Sequence, residues 1–236
     1  MDDPNLEMLA AAARVLRPLL GELVFLGGCT TGLMISDPAA AGVRPTKDVD
    51  AITEIASYVE YGALSARLRG LGLREDASQG APMCRWRYEH LIIDVMPTDD
   101  RVLGFSNRWY RPAISSAQHV NLADLRLRVI TPVYFLATKL EAFLGRGHND
   151  ITGSHDLEDI VAVIDGRDEI AREVAASPAD VRAYVAAELR HLLGVQAFVD
   201  ALSGFLMPDS ASQSRRPALL RRLRALAESG LPENGN

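Results

Sequence analysis

An aspartate stands inside an apolar run that is otherwise typical of a buried strand. The run is Leu91–Met96, and the aspartate is Asp94. A lone carboxylate in such a run is seldom fully buried unless it is paired or bound to a metal. The strand must therefore supply a partner for Asp94, or end close enough to Pro97 for solvent to reach it. The run alone leaves both interpretations open.

Two further aspartates lie two residues apart in the segment Asp48-Val49-Asp50-Ala51-Ile52. Its alternation predicts a strand, on which Asp48 and Asp50 share one face. Two carboxylates on one face are costly unless they are solvated or neutralised by a cation. If a neighbouring strand adds Asp94, the three side chains predict a site for Mg²⁺, or for Mn²⁺ in its place. The alternative is a solvent-facing edge strand.

A pair of glycines follows another short apolar run. Leu23–Leu26 predicts a buried strand, which leads directly into Gly27 and Gly28. Glycines let the backbone approach a bulky anion, and the N–H groups and hydroxyl of a helix beginning near Thr30 could bind phosphate. Paired glycines at a strand end are more often a simple turn, so the phosphate interpretation depends on the rest of the chain.

The pattern of elements predicts an α/β (α+β) fold with a helical C-terminal part. Residues 1–130 form the mixed part, 131–229 the helical part and 230–236 a disordered tail. Helical periodicity and caps predict helices at 6–20, 30–35, 55–71, 131–144, 155–164, 177–193, 194–205 and 217–228. Apolar runs predict strands at 23–26, 48–52, 84–90, 91–96 and 127–130, and residues 210–214 have the composition of a linker.

Composition narrows the possible classes of protein. The chain has 236 residues, a net charge of −6 and two cysteines, which do not make a disulfide framework. An overall basic field for gripping long nucleic acid is absent. The acidic N-terminus does not begin like a signal peptide, and no apolar run is long enough for a membrane span. We expect a soluble, cytoplasmic protein without a membrane partner.

The order of these motifs resembles the DNA polymerase β nucleotidyltransferase superfamily. More narrowly, the chain is similar to the abortive-infection AbiEii-type toxins, which include the MenT group from mycobacteria. Those proteins show Gly-Gly-x-Thr and Arg-x-Thr-x-Asp-h-Asp segments, where h is apolar. The matching residues are Gly27-Gly28-Cys29-Thr30 and Arg44-Pro45-Thr46-Lys47-Asp48-Val49-Asp50. The resemblance covers roughly residues 20 to 165.

The family also has a later lysine on a helix and a downstream Asp-x-x-Asp. These correspond to Lys139 and to Asp156 with Asp159, and Arg146 lies between them. The resemblance implies that Lys139 binds the triphosphate and that one of the two aspartates orients Lys139 or the acceptor. It further implies a nucleotide-binding set that is drawn from both halves: Gly27, Gly28, Thr30, Arg44, Thr46, Lys47, Lys139, Arg146 and Asp159.

The function that the resemblance implies is transfer of a nucleoside monophosphate from an NTP to an acceptor, with release of pyrophosphate. Asp48 and Asp50 would bind two Mg²⁺ ions, and Asp94 would bind one of them and help to deprotonate the acceptor. Lys139 and Asp156 complete the implied catalytic set. The protein would be a toxin acting on tRNA, with a separately encoded antitoxin as partner. The alternatives are an aminoglycoside-type antibiotic nucleotidyltransferase, which suits an acidic protein, and a non-catalytic binding module on the same fold.

Overall fold

The chain forms two compact units. A computed structural model describes residues 3–40, 42–145 and 150–230. The first unit comprises residues 1–33 and 44–131, and the second comprises 34–43 and 132–236. The second unit therefore includes a segment from the N-terminal half as well as the helices after residue 131. None of the helices in the described ranges is long and apolar enough to cross a membrane.

A mixed seven-stranded sheet is the centre of the first unit. Its order is β3-β4-β5-β2-β1-β7-β6. The strands are β1 (Leu23–Leu26), β2 (Val49–Thr53), β3 (Arg74–Glu75), β4 (Arg85–Tyr88), β5 (Leu91–Pro97), β6 (Gln118–Leu122) and β7 (Leu125–Val129). Strand β2 pairs antiparallel with β1 and parallel with β5, so it lies at the middle of the sheet. Central placement explains why β1, β2 and β5 are the most apolar strands.

The α-helices of the sheet unit, among the residues described, are α1 (Pro4–Val15), α2 (Tyr58–Gly70), α3 (Asp100–Leu103) and α4 (Tyr110–Ser115). Asp3 caps α1 by accepting a hydrogen bond from the Asn5 amide, and Pro4 occupies the first turn. The first helix packs on β2, β5 and β7 through small and apolar side chains such as Leu9 and Ala13.

In the described part of the chain, helices make up most of the second unit. They are α5 (Pro132–Gly145), α6 (His155–Gly166), α7 (Ile170–Ala176), α8 (Ala179–Gly194), α9 (Gln196–Ala201), α10 (Ser210–Ser214) and α11 (Arg216–Glu228). Ser154 caps α6 as predicted, since its side chain accepts a hydrogen bond from the Leu157 amide. Helix α5 packs on α6, α7 and α8, and α11 packs on α6, α7 and α8, which buries one apolar face of each helix.

The segment 34–43 is attached to the helical unit by polar contacts. The Arg215 guanidinium binds Asp37 at 2.7 Å and Asp165 at 2.7 Å. The Ser36 hydroxyl donates to Glu169, and Arg167 donates to the Met34 carbonyl oxygen. Arginines near the C-terminus such as Arg215 thus stabilise the fold of this unit.

Several element predictions were wrong in detail. Residues 30–35 do not form an α-helix, because Gly28–Met34 is a 3₁₀ segment. Residues 210–214 are helix α10 and not a linker, because Asp209 caps them by accepting a hydrogen bond from the Ser212 amide. The edge strands β3 and β6 and the short helices α3, α4 and α7 were not predicted. The final residues, 231–236, lie outside the described residues.

Candidate active site

Three charged residues form a row across one face of the sheet. Asp50 on β2 is the register neighbour of Asp94 on β5, and Asp94 is the register neighbour of Arg85 on β4. Residues that face each other across paired strands point to the same side of the sheet. Asp48 comes just before β2, and its carboxylate lies on that side because it accepts a hydrogen bond from Arg85. The structure thus places the three predicted carboxylates on one side of the sheet, and it adds an arginine.

The Arg85 guanidinium joins two of the carboxylates. Its Nε and Nη2 donate to the two oxygens of Asp94 at 2.8 and 2.7 Å, and Nη2 also donates to Asp48 Oδ2 at 3.0 Å. The Asp94 side chain is 9% exposed, whereas that of Asp48 is 30% exposed. A bidentate arginine pair of this kind stabilises a buried carboxylate. Arg85 therefore supplies the partner that Asp94 requires in its apolar strand.

Gly27 lies directly against the Asp50 carboxylate. Its φ is +77°, and a Cβ built on it would overlap Asp50 Oδ2. Gly28 lies close to the segment Arg44–Asp50, since a Cβ there would lie 3.0 Å from Arg44 Nη2 and 3.3 Å from Thr46 Oγ1. Gly27 is therefore required for close packing of the turn against Asp50, whereas a side chain at Gly28 would need Arg44 and Thr46 to shift by a few tenths of an ångström.

An asparagine from the first helix holds that segment in place. Asn5 is 1% exposed, and its Nδ2 donates to the Arg44 carbonyl oxygen at 2.8 Å. Its Oδ1 accepts from the Thr46 amide at 2.9 Å. The Thr46 hydroxyl then donates to Asp48 Oδ1 at 3.1 Å. The orientation of Asp48 thus depends on a chain of contacts that begins in α1.

Two predicted nucleotide-binding residues have contrasting surroundings. Thr30 is fully buried, and its hydroxyl donates to the Gly27 carbonyl oxygen at 2.9 Å. In this conformation the Thr30 hydroxyl closes the Gly-Gly turn and is not presented to a ligand. Lys47 is exposed beside Asp48, where a flexible ammonium group can reach a phosphate. Its role in nucleotide binding stays a prediction.

The carboxylate oxygens on this face of the sheet are the type of ligand that a hard divalent cation binds. Asp48, Asp50 and Asp94 offer oxygen ligands, which Mg²⁺ prefers, and the Gly27 backbone leaves Asp50 unobstructed by a Cβ. The arrangement differs from the predicted one, because Arg85 already binds Asp48 and Asp94. Within the described ranges, no three His, Cys, Asp or Glu side chains are grouped to ligate one ion. Asp48 and Asp50 would hold the cation once the Arg85 contact to Asp48 has opened.

The negative charge of the row affects a neighbouring thiol. Burial raises the pKa of Cys84 to about 12, and the Asp94 and Asp50 carboxylates add to the effect. Burial is also the main reason why the pKa of Tyr61 is raised to about 12. Both groups therefore stay neutral at physiological pH. Cys84 contributes a small apolar side chain beside the carboxylates and not a nucleophile.

The predicted lysine and its two aspartates form a buried ionic cluster in the helical unit. Lys139 Nζ on α5 lies 3.1 Å from Asp156 Oδ1 and 2.7 Å from Asp159 Oδ2 on α6. All three side chains are buried or nearly so, and the two aspartates share a helix face as their spacing predicts. The cluster orients the lysine. Its part in catalysis stays a prediction, and Arg146 lies outside the described residues.

Sequence reasoning missed Arg85 and Asn5. Arg85 lies in Cys84–Tyr88, where arginines alternate with aromatic residues and look like the solvent side of a strand. Only the register with β5 shows that Arg85 faces Asp94. A signal for Asn5 was present, because an asparagine among the apolar positions of a helix needs a partner. The identity of that partner, 39 and 41 residues away, could not be read from the pattern.

The fold is similar to those of solved nucleotidyltransferase-like proteins. An antigenic nucleotidyltransferase-like protein from Paracoccidioides brasiliensis has a TM-score of 0.52 at 17% identity, over 95% of this chain and 94% of the other. A candidate nucleotidyltransferase from Helicobacter pylori has a TM-score of 0.51 at 11% identity, over 97% and 95%. JHP933 from the same organism has a TM-score of 0.51 at 10% identity, over 98% and 94%.

The sequence matches no family model and no curated protein. At these identities the solved structures establish the fold, and their names do not mention a toxin. The narrower resemblance to AbiEii-type toxins therefore stays a prediction. The chain has a mixed α/β fold of the nucleotidyltransferase-like kind, with Asp48, Asp50 and Asp94 on one face of its sheet.

Proposed function

We propose that this protein transfers a nucleotidyl group from an NTP to an acceptor hydroxyl. The observation that carries the proposal is the row of Asp50 and Asp94 on adjacent strands, with Gly27 packed against Asp50 and Asp48 on the same face. Carboxylates beside a glycine turn suit a reaction on phosphates, since the chemistry requires a neutralised triphosphate held close to the backbone.

In the proposed reaction the acceptor oxygen attacks the α-phosphorus of the NTP. A new phosphorus–oxygen bond forms, the bond from the α-phosphorus to the bridging oxygen breaks, and pyrophosphate leaves with that oxygen. When bound, Mg²⁺ would neutralise charge on the phosphate oxygens. Asp48 and Asp50 would hold it. The acceptor proton passes to a carboxylate of the cluster.

The segment Arg44–Asp48 is assigned to the phosphates. The Arg44 guanidinium lies against Gly28, and Lys47 of the same segment is exposed. Both side chains are cationic, and backbone N–H groups and cations together suit an anion. Asn5 fixes the backbone of this segment, so it positions both the cations and Asp48.

For the acceptor we propose the 3′ end of tRNA, which would make the protein the toxin of a toxin–antitoxin pair. The support is the Gly-Gly-x-Thr and Arg-x-Thr-x-Asp-x-Asp segments and their order. A second candidate acceptor is an aminoglycoside, favoured by the net charge of −6, because an acidic protein attracts a polycationic drug more readily than an RNA.

Labelled NTPs incubated with Mg²⁺ and either tRNA or an aminoglycoside test the proposal. We expect label on tRNA, and we expect Asp48→Asn or Asp50→Asn to reduce this transfer strongly. Asp124→Asn, at an exposed aspartate of the same unit, should leave the transfer unchanged. Label on the drug alone would refute the toxin assignment and keep the reaction class. If no acceptor is labelled and calorimetry detects no Mg²⁺-dependent NTP binding, the protein is instead a non-catalytic binding module on the same fold.

A further inference from the structure

We propose that Arg85 is an internal counter-ion which occupies the carboxylate site in the absence of metal and releases Asp48 when a divalent cation binds. The inference rests on the proposed function only in the choice of cation. Three carboxylates face one guanidinium on the same side of the sheet. A cluster with that excess of like charge is stabilised by any cation that can reach it.

The contacts of Arg85 are unequal. Asp94 receives two hydrogen bonds, at 2.8 and 2.7 Å, and is nearly buried. Asp48 receives one, at 3.0 Å, and is more exposed. A paired fork-to-carboxylate contact is stronger and more directional than a single shared one. The weaker contact is therefore the one that opens, and Asp94 anchors the arginine while Asp48 changes partner.

The strand register explains why Arg85 can stay bound to Asp94 both without and with a bound cation. Arg85 lies directly opposite Asp94 on the paired strand, so its backbone position relative to Asp94 is fixed by the sheet. Asp48 precedes β2, and its carboxylate is also held by the Thr46 hydroxyl. After release from Arg85, Asp48 would keep that contact and remain pointed toward Asp50's side of the sheet.

Competition between arginine and metal makes a measurable prediction. Replacing Arg85 by glutamine removes a positive charge from the immediate surroundings of two proposed ligands, so Mn²⁺ alone should bind about tenfold more tightly or better. Arg87→Gln is the matched control, because Arg87 is the next arginine on the same face of β4 and its partner is Asp76. Titration of free Mn²⁺, followed by electron paramagnetic resonance, reports binding without any transfer reaction.

The outcomes separate this proposal from the proposed function. Tighter Mn²⁺ binding in Arg85→Gln, absent from Arg87→Gln and abolished by adding Asp48→Asn, supports the counter-ion. The proposal is overturned if Arg85→Gln binds Mn²⁺ no more tightly than the wild type does. It is also overturned if Arg87→Gln gains as much affinity, or if the gain persists when Asp48→Asn is added. Transfer activity is not used, so an inactive protein with the expected Mn²⁺ behaviour refutes nucleotidyl transfer alone.

A thermal measurement covers the case in which Arg85→Gln is unstable. Loss of the guanidinium leaves the nearly buried Asp94 without this partner, and Arg85→Lys keeps one charge while losing the paired contact. The melting temperature of Arg85→Gln should rise more steeply with added Mn²⁺ than that of the wild type, and Arg85→Lys, which keeps the charge, should gain less than Arg85→Gln. A rise in Arg85→Gln equal to that of the wild type would overturn the proposal.

Discussion

Gly27 and Asp50 are in contact so close that no side chain could stand between them. We expect Gly27→Ala to destabilise the protein by more than the roughly 1–2 kcal/mol that a left-handed backbone costs an L-residue, because the new methyl group also displaces Asp50. Urea unfolding measures the stability, and Mn²⁺ binding measures the site. Gly62→Ala is the control: it lies within α2 in open space, and should raise the stability slightly. Similar behaviour of the two variants would contradict the packing argument.

Replacement of Asn5 should release the segment that carries Arg44 and Thr46. Both polar ends of this buried side chain are hydrogen-bonded to that segment. We expect Asn5→Ala to cost about 1–3 kcal/mol of unfolding free energy, since it leaves the part-buried Thr46 amide and Arg44 carbonyl oxygen without this partner. Hydrogen exchange should speed up at the Thr46 amide in particular. Asn121→Ala, on the exposed edge strand β6, should change neither quantity.

The Lys139 cluster should be sensitive to the loss of a single charge. Lys139→Met leaves Asp156 and Asp159 buried without their shared cation, which is expected to cost about 3–5 kcal/mol. Combining it with Asp156→Asn and Asp159→Asn should restore much of that loss, because no uncompensated charge then remains. Urea unfolding of the single and triple variants checks this. A triple variant less stable than the single one would show that the cluster stabilises by more than charge balance.

Cys84 should resist alkylation until the protein unfolds. Burial raises its pKa to about 12 from an ordinary value of 9.0, so the thiol is neutral in the folded protein at pH 8. Because the folded pKa is the higher one, the associated stability is fully present below pH 9 and is lost as the pH approaches 12. In a Cys29→Ala background, iodoacetamide should react at pH 8 only in denaturant. Rapid reaction with the folded protein would contradict this pKa.

The central strands could be predicted because their signals are local. The apolar run around Asp94 and the alternation at Asp48 to Ile52 each specify a strand within a few residues. Arg85 and Asn5 could not be assigned in this way, since their partners are set by strand register and by helix docking. The helix at 210–214 was missed for a different reason. Its polar residues resemble a linker, and its Asp209 cap outweighs their weak helix propensity.

The chain passes between its two units three times, because residues 34–43 belong with the helices while the motifs on either side belong with the sheet. Truncation at residue 131 would therefore remove Arg215 and Glu169, which are the partners of Asp37 and Ser36 in this loop. The same threading means that Leu33 and Arg44, which flank the loop, are each joined by a peptide bond to a segment of the helical unit.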